Sequence, residues 1–292
     1  MKICIIILHY QNFEITKQCI ENIRTKVDKN KYEVDIVVVD NASPNCSGKK
    51  LKEYYANTNV HFVFMKSNVG FARGNNAGFI CARKNLDPDI VILMNNDILI
   101  EDDYFFDILI KKFSENNYNI VVPDIVNLAS VHQNPLRTKP VTFRDIRKTR
   151  WSLLKLYIMT YIPIVFKRKG ETSDAYGSER SKLSLMPMKN IVPHGSCIIL
   201  GKEFIKNEHF VFDPITFMFR EEDLFYERVR QKGYDIYFEP ELIVKHCEDM
   251  SINTLDKDKR KIKRFIARET LKSLGCLEFR LKMNDKKYNS KN

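Results

Sequence analysis

The chain has seven cysteines but no C-x-x-C pair, so it offers neither a zinc ribbon nor a disulfide framework. Scattered single thiols of this kind suit a reducing compartment, and a cytoplasmic location is expected. Long apolar runs are missing too, and no window reaches the length that spans a bilayer. The start, "MKICIIILHYQN", has an apolar run of only Ile3 to Leu8 and no small-residue cleavage site after it. It is expected to be a buried strand rather than a secretion signal. Neither the dinucleotide pattern G-x-G-x-x-G nor a Gly-Lys-Ser/Thr phosphate loop occurs. There is no zinc finger and no aromatic–basic interleaving of the RNA-recognition kind, which weighs against the alternative of a non-catalytic nucleic-acid-binding protein.

Positive charge is present but unevenly spread. Between Arg137 and Lys169 stand ten Lys/Arg against one acidic residue, and from Ile252 to Asn292 thirteen against five. The whole chain carries only +11, so the remainder is mildly acidic. Two basic segments on an acidic body imply a polyanionic surface as partner, either nucleic acid or anionic lipid.

The first hundred residues alternate strand and helix. Strands are expected at Ile3–Leu8, Val34–Val39, His61–Met65 and Ile90–Met94, and helices at Phe13–Ile23, Leu51–Ala56 and Phe71–Lys84. The strands are apolar throughout rather than alternating, as parallel strands covered on both faces are. This pattern predicts an open α/β sheet, whose ligands bind outside the carboxyl ends of the strands. Those ends are polar four times in succession: His9–Asn12, Asp40-Asn41, Lys66–Asn68 and Asn95-Asn96-Asp97. Four in a row point to a site for a polar ligand.

Three stretches could carry chemistry. In "NVGFARGNNAG" the glycines at 70, 74 and 78 could open a helix start where backbone N–H groups and Arg73 meet a diphosphate. Alternatively, Gly70 serves a turn while Gly74 and Gly78 let a helix pack closely on the sheet. In "ILMNND", Asp97 could bind a divalent cation, since Mg²⁺ takes one or two carboxylates plus phosphates and water. Equally, Asn and Asp end strands because they bond their own backbone. In "FMFREEDLFYERVRQKGY", Glu221, Glu222 and Asp223 precede an amphipathic helix, Leu224 to Lys232. One acid would suffice for the helix dipole. Three beside Phe217 and Phe219 raise the prospect of a general base. Strands are expected after this, at Ile236–Glu239 and Leu242–Val244, with His246 just beyond as a candidate metal ligand.

In order and together, "HYQN", "VVVDNAS", "NVGFARGNNAG", "ILMNND", "PHGSCIIL", "EEDLFYERVRQKGY" and "PELIVKH…S" resemble the family 2 glycosyltransferases of GT-A fold. The likeness is to the bacterial branch that builds surface polysaccharides, including rhamnosyltransferase-like members. It covers residues 1 to about 100 and 190 to 251. The resemblance implies a mixed, mostly parallel sheet flanked by helices and an inverting, metal-dependent transfer. The donor would be a UDP- or dTDP-sugar. The acceptor would be a glycan, lipid-linked in O-antigen or capsule synthesis. Asp40 would hold the base or ribose, with Tyr10 and Asn12 nearby, and Asn75, Asn76 and Asn96 fall on the donor side. Asp97 and His246 would bind Mg²⁺ or Mn²⁺. His194 and Ser196 fall on the acceptor side, and a carboxylate of the 221–223 cluster, Asp223 ahead of Glu222, would be the base.

The chain departs from the family pattern twice. Glu-Glu-Asp-Leu stands where Glu-Asp-x-Asp-Leu is usual, and Asn95 stands where the metal motif has its first Asp. A sugar nucleotidyltransferase, another alternative, would want a Gly-rich, Arg-containing loop after the first strand, where "HYQNFE" is found. Residues 1–251 are expected to form the catalytic domain, with 137–189 as a basic, partly apolar insertion and 252–292 as a basic helical extension ending in an unstructured "NDKKYNSKN". Within the insertion, "WSLLKLYIMTYIPIVF" either lies in an anionic membrane interface or packs over the acceptor cleft. The first choice would make the protein peripheral at the inner face of a bacterial membrane.

Overall fold

The computed structural model describes residues 1–162, 186–247 and 258–289. Part of the 137–189 segment and the expected boundary at residue 251 lie outside the described residues. The elements run β1 (Lys2–His9), α1 (Phe13–Lys26), β2 (Glu33–Asp40), α2 (Ser47–Tyr54), β3 (Val60–Phe64), α3 (Gly70–Asn85), β4 (Ile90–Asn95), β5 (Ile98–Ile100), α4 (Phe105–Glu115) and β6 (Ile120–Asn127). There follow α5 (Phe143–Met159), β7 (Met188–Lys189), β8 (Cys197–Gly201), α6 (Lys202–Asn207), α7 (Glu221–Gln231), β9 (Ile236–His246) and α8 (Lys259–Asn289).

The described strands form one sheet in the order β3-β2-β1-β4-β8-β6-β9-β5, with β7 on the side of β9. Neighbours from β3 to β4 are parallel, as are β6 and β9; β8 runs against both β4 and β6. Ile3, Ile5 and Ile7 of β1 face a core closed by Cys19 and Ile20 of α1, Leu51 of α2 and Phe106 of α4. Cys4 and Ile6 face the other core, with Phe79 of α3, Phe204 of α6 and Phe225 of α7. Both faces of the central strands are therefore dry, which is why their sequences do not alternate.

Close approach of α3 to the sheet depends on two glycines. A Cβ on Gly74 would stand 2.5 Å from Leu8 Cδ1, and one on Gly78 would stand 2.4 Å from Ile6 Cγ2. Farther along the chain, β9 is one strand rather than the two expected. It passes Pro240 because its pairing with β6 jumps from Pro123↔Glu239 to Asp124↔Ile243, leaving the proline in a bulge where no ladder N–H is needed. Two other expectations shift. Helix α7 begins at Glu221, so all three acids lie in its first turn. Helix α8 runs to Asn289, through most of the tail expected to be unstructured.

A third layer lies outside α7. Helix α5 starts with a reciprocal cap between Thr142 and Asp145, and its Ile146 packs with Leu224 of α7 and with Leu274 and Leu277 of α8. Arg264 of α8 donates to the Thr160 carbonyl at 2.8 Å, and Arg150 donates to Glu278 at 2.5 Å. The pair α5 and α8 is thereby held antiparallel.

Candidate active site

Strand register gathers the polar ends. His9 pairs with Asp40 and Leu8 with Asn95, while the Asn95 N–H donates to the Ser196 carbonyl at 2.8 Å at the start of β8. His246 comes from the far end of the chain. It is opposite Ile98 in the β5–β9 ladder, and the Cys247 N–H donates to the Asp97 carbonyl at 2.9 Å. The short strand β5 therefore places His246 beside Asp97.

A buried polar chain supports the rim. Asn96 Nδ2 donates to Thr16 Oγ1 at 2.9 Å, and His9 bonds Thr16 Oγ1 at 2.7 Å and Ser47 Oγ at 2.8 Å. Burial pushes the His9 imidazole down to about 4, so at neutral pH it is an uncharged link between β1, α1 and α2. Asp40 Oδ1 accepts from the Ser43 N–H at 3.1 Å and from its hydroxyl at 2.5 Å. Ser43 Oγ also accepts the Gln11 N–H at 2.8 Å. Gly48 lies against Asp40, where an added Cβ would come within 2.4 Å of its carboxyl carbon. Tyr10 and Asn12 are half-buried beside this knot, and Asn12 caps α1 through the Ile15 N–H.

At the metal position, His246 Nε2 lies 3.3 Å from Asp97 Oδ1, a buried oxygen that accepts no hydrogen bond. The other imidazole nitrogen, Nδ1, is 2.7 Å from Gln133 Oε1. An amide oxygen there requires the proton on Nδ1, and in the neutral imidazole that a metal needs this leaves the Nε2 lone pair facing Asp97. Two ligands of one octahedral Mg²⁺ at about 2.1 Å lie about 3.0 Å apart, so the pair fits a shared divalent ion. Among the described residues no third His, Cys, Asp or Glu joins them. The rest of such a shell would come from phosphate and water.

The 221–223 cluster is sorted by its neighbours. Both oxygens of buried Asp223 meet arginines: Arg137 on Oδ1 and Arg220, at 3.3 Å, on Oδ2. Glu222 instead faces the backbone between His194 and Ser196, where an added Cβ on Gly195 would stand 2.8 Å from its Oε1. Burial raises the Glu222 carboxyl above its usual range, and the negative Asp223 adds to this. Glu221 is pushed up to about 8, by burial first and then by Glu222. His194 closes the circle. Its Nδ1 is 2.9 Å from Ser196 Oγ, and its ring stands edge-on to His246 with centroids 5.7 Å apart.

Asp97, His246, His194, Ser196 and Glu222 thus converge, whereas three expected donor contacts have other partners. The Asn76 amide accepts from the Val211 and Phe212 N–H groups and donates to the Phe212 carbonyl. Asn75 Nδ2 bonds the Phe71 carbonyl of its own helix, and Arg73 Nε donates to the Pro214 carbonyl. The start of α3 is closed by protein: the Phe71 N–H donates to the Phe217 carbonyl at 2.9 Å, and a Cβ on Gly70, at φ +82°, would meet that same oxygen. The packing role of these glycines is the one realised. Gln133 and Arg137 had no sequence signal. Neither lies in a motif, and each reaches the site only through tertiary pairing.

Several known proteins share this architecture. The fragment 1–349 of TarS from S. aureus, solved with UDP-GlcNAc, superposes with a TM-score of 0.53 at 14% identity, over 89% of this chain and 61% of that one. GalNAc-T7, solved with UDP, GalNAc and Mn²⁺, superposes with a TM-score of 0.56 at 15% identity, over 85% of this chain and 44% of that one. These likenesses show the GT-A fold. In sequence, glycosyltransferase GlyA of Streptococcus pneumoniae is 29% identical over 121 residues, 41% of this chain. The chain spans only 16% of that relative's length. Residues 4–170, more than half of the chain and including most of β1 and the run on to Asp97, match the model of glycosyl transferase family 2. On that match, and with the expected sheet and polar rim in place, the chain belongs to glycosyl transferase family 2.

Proposed function

We propose that the chain is an inverting, metal-dependent glycosyltransferase. It moves a hexosyl or deoxyhexosyl group from a UDP- or dTDP-sugar to a hydroxyl of a glycan in bacterial polysaccharide synthesis, the acceptor being lipid-linked. The observation that carries this is the Asp97–His246 pair, oriented by Gln133, with the His194 ring against His246 and Glu222 against Gly195, the residue between His194 and Ser196. Asp97 and His246 would hold Mg²⁺ or Mn²⁺, which when bound offsets charge on a departing diphosphate. Asp40, with Tyr10 and Asn12 beside it, takes the base or ribose, and Asn96 keeps Asp97 in place through Thr16.

Glu222 is the general base in this reading, in place of Asp223. An Asp223 locked by two arginines would have to break an ion pair before taking a proton, whereas Glu222 lies against Gly195, between the two residues proposed for the acceptor side. The acceptor hydroxyl gives its proton to the Glu222 carboxylate as its oxygen bonds to the anomeric carbon. The bond from that carbon to phosphate breaks on the opposite face, and the electron pair leaves with the nucleoside diphosphate. A neutral Glu221 beside Glu222 spares that carboxylate one repulsion.

Calorimetry with a panel of UDP- and dTDP-sugars, with and without Mn²⁺, tests the proposal. One donor is expected to bind more tightly with Mn²⁺, and Asp97→Ala to remove that gain. Equal binding with and without the ion, in the wild type, would remove Asp97 and His246 from the metal role.

A further inference from the structure

Helix α5 has two unlike sides. Ile146 and Leu153 face α7 and α8. The opposite side carries Trp151, Leu154 and Ile158, which are 75%, 36% and 60% exposed. Spacings of three and four residues put them on one stripe. Arg147, Lys148 and Lys155 flank it, all exposed. The one acidic residue of the helix, Asp145, turns back onto Thr142 as its cap. The stripe is therefore apolar, bordered by cations and free of carboxylates.

That chemistry selects among occupants. Two copies of the chain meeting through this side would set like charges against each other. A nucleic acid would take the cations yet leave Leu154 and Ile158 in water. An anionic bilayer satisfies both parts, with phosphates for the cations and an acyl boundary for the stripe, the depth at which tryptophan settles.

We infer that this side of α5 seats the protein on an anionic phospholipid surface, with Trp151, Leu154 and Ile158 entering the acyl boundary and Arg147, Lys148 and Lys155 on the head groups. The seat is joined to the catalytic helix: Ile146 packs on Leu224, the neighbour of Asp223, and Arg137 ahead of α5 pairs with Asp223 itself. Bringing a lipid-linked acceptor to Glu222 is its use under the proposed function. The binding itself needs no nucleotide sugar, so its failure would leave the transfer reading standing.

Trp151 is the single tryptophan of the chain and reports directly. Vesicles of phosphatidylcholine alone, and of an equimolar mixture with phosphatidylglycerol, are added to the full chain. With the mixture, Trp151 emission should shift to the blue, brominated acyl chains should quench it, and the protein should sediment with the vesicles; added salt should weaken all three. Ile158→Ser and Lys155→Glu, both at exposed positions, should each weaken partitioning by about tenfold while the circular dichroism of the fold is unchanged. An unshifted Trp151 would overturn the inference. So would equal binding to neutral vesicles, or sedimentation that neither substitution reduces.

Discussion

The residue-scale feature of α7 is a buried carboxyl in its first turn, Glu221, pushed far above its ordinary range. Burial, and then the neighbouring Glu222, push it up to about 8 from an ordinary value of 4.5. The folded state therefore holds a proton that the unfolded state releases, and stability falls as pH rises from about 4.5 to about 8, by up to about 1.4 kcal/mol per pH unit. Glu221→Gln should flatten that slope in urea denaturation at a series of pH values. His9, held near 4, acts with the opposite sign between 4 and 6.5, so the comparison belongs between wild type and variant. Gln133 is testable at the same scale. Removing the partner that fixes an imidazole tautomer weakens metal affinity by about 10- to 100-fold. Gln133→Ala should do this for Mn²⁺ in the presence of UDP, read by electron paramagnetic resonance of the free ion. Neither effect could be read along the chain. Glu221 owes its shift to burial, and Gln133 to the register that brings β9 beside the loop after β6.

At the scale of elements, helix α3 shows what glycine spacing means here. Gly78→Ala would push a methyl into Ile6 and Val39 and should cost about 1–3 kcal/mol in chemical denaturation. Gly275, in α8, has nothing within 4 Å of an added Cβ, and Gly275→Ala should instead stabilise by about 0.5–1 kcal/mol. The same spacing in sequence could not tell a phosphate loop from a packing face, because the deciding atoms belong to Leu8, Ile6 and Phe217. Strands β1 to β4 were legible because unbroken apolar runs between polar turns have few other solutions. Helix α2 begins at Ser47, four residues before the expected Leu51, since its first turn hides in a cluster of turn residues where Gly48 fits against Asp40. The antiparallel half of the sheet was less visible. Its β5 is three residues long, and β9 carries a proline that only the bulge excuses.

For the whole molecule, residues far apart in sequence come together at the candidate site. Asp97 and Asp40 were legible as polar strand ends, and Glu222 and His246 as chemistry beside apolar runs. The meeting of Asp97, His246 and Glu222 depends on β8 running back beside β4 and on β9 ending beside β5. The proposed preference for Glu222 over Asp223 also lay beyond the sequence, for Arg137 closes on Asp223 only in three dimensions. The described part of the basic middle includes helix α5, with one side packed on α7 and α8 and one side exposed; the proposed lipid contact concerns the exposed side. In the proposed mechanism Glu222 takes the acceptor proton beside a donor held at Asp97 and His246. Glu222→Gln is its most direct test, with donor binding and transfer measured on the same preparation. Mn²⁺-dependent donor binding should stay within about twofold while the transfer rate falls by about 10²- to 10⁴-fold. Transfer at the wild-type rate in Glu222→Gln would contradict it.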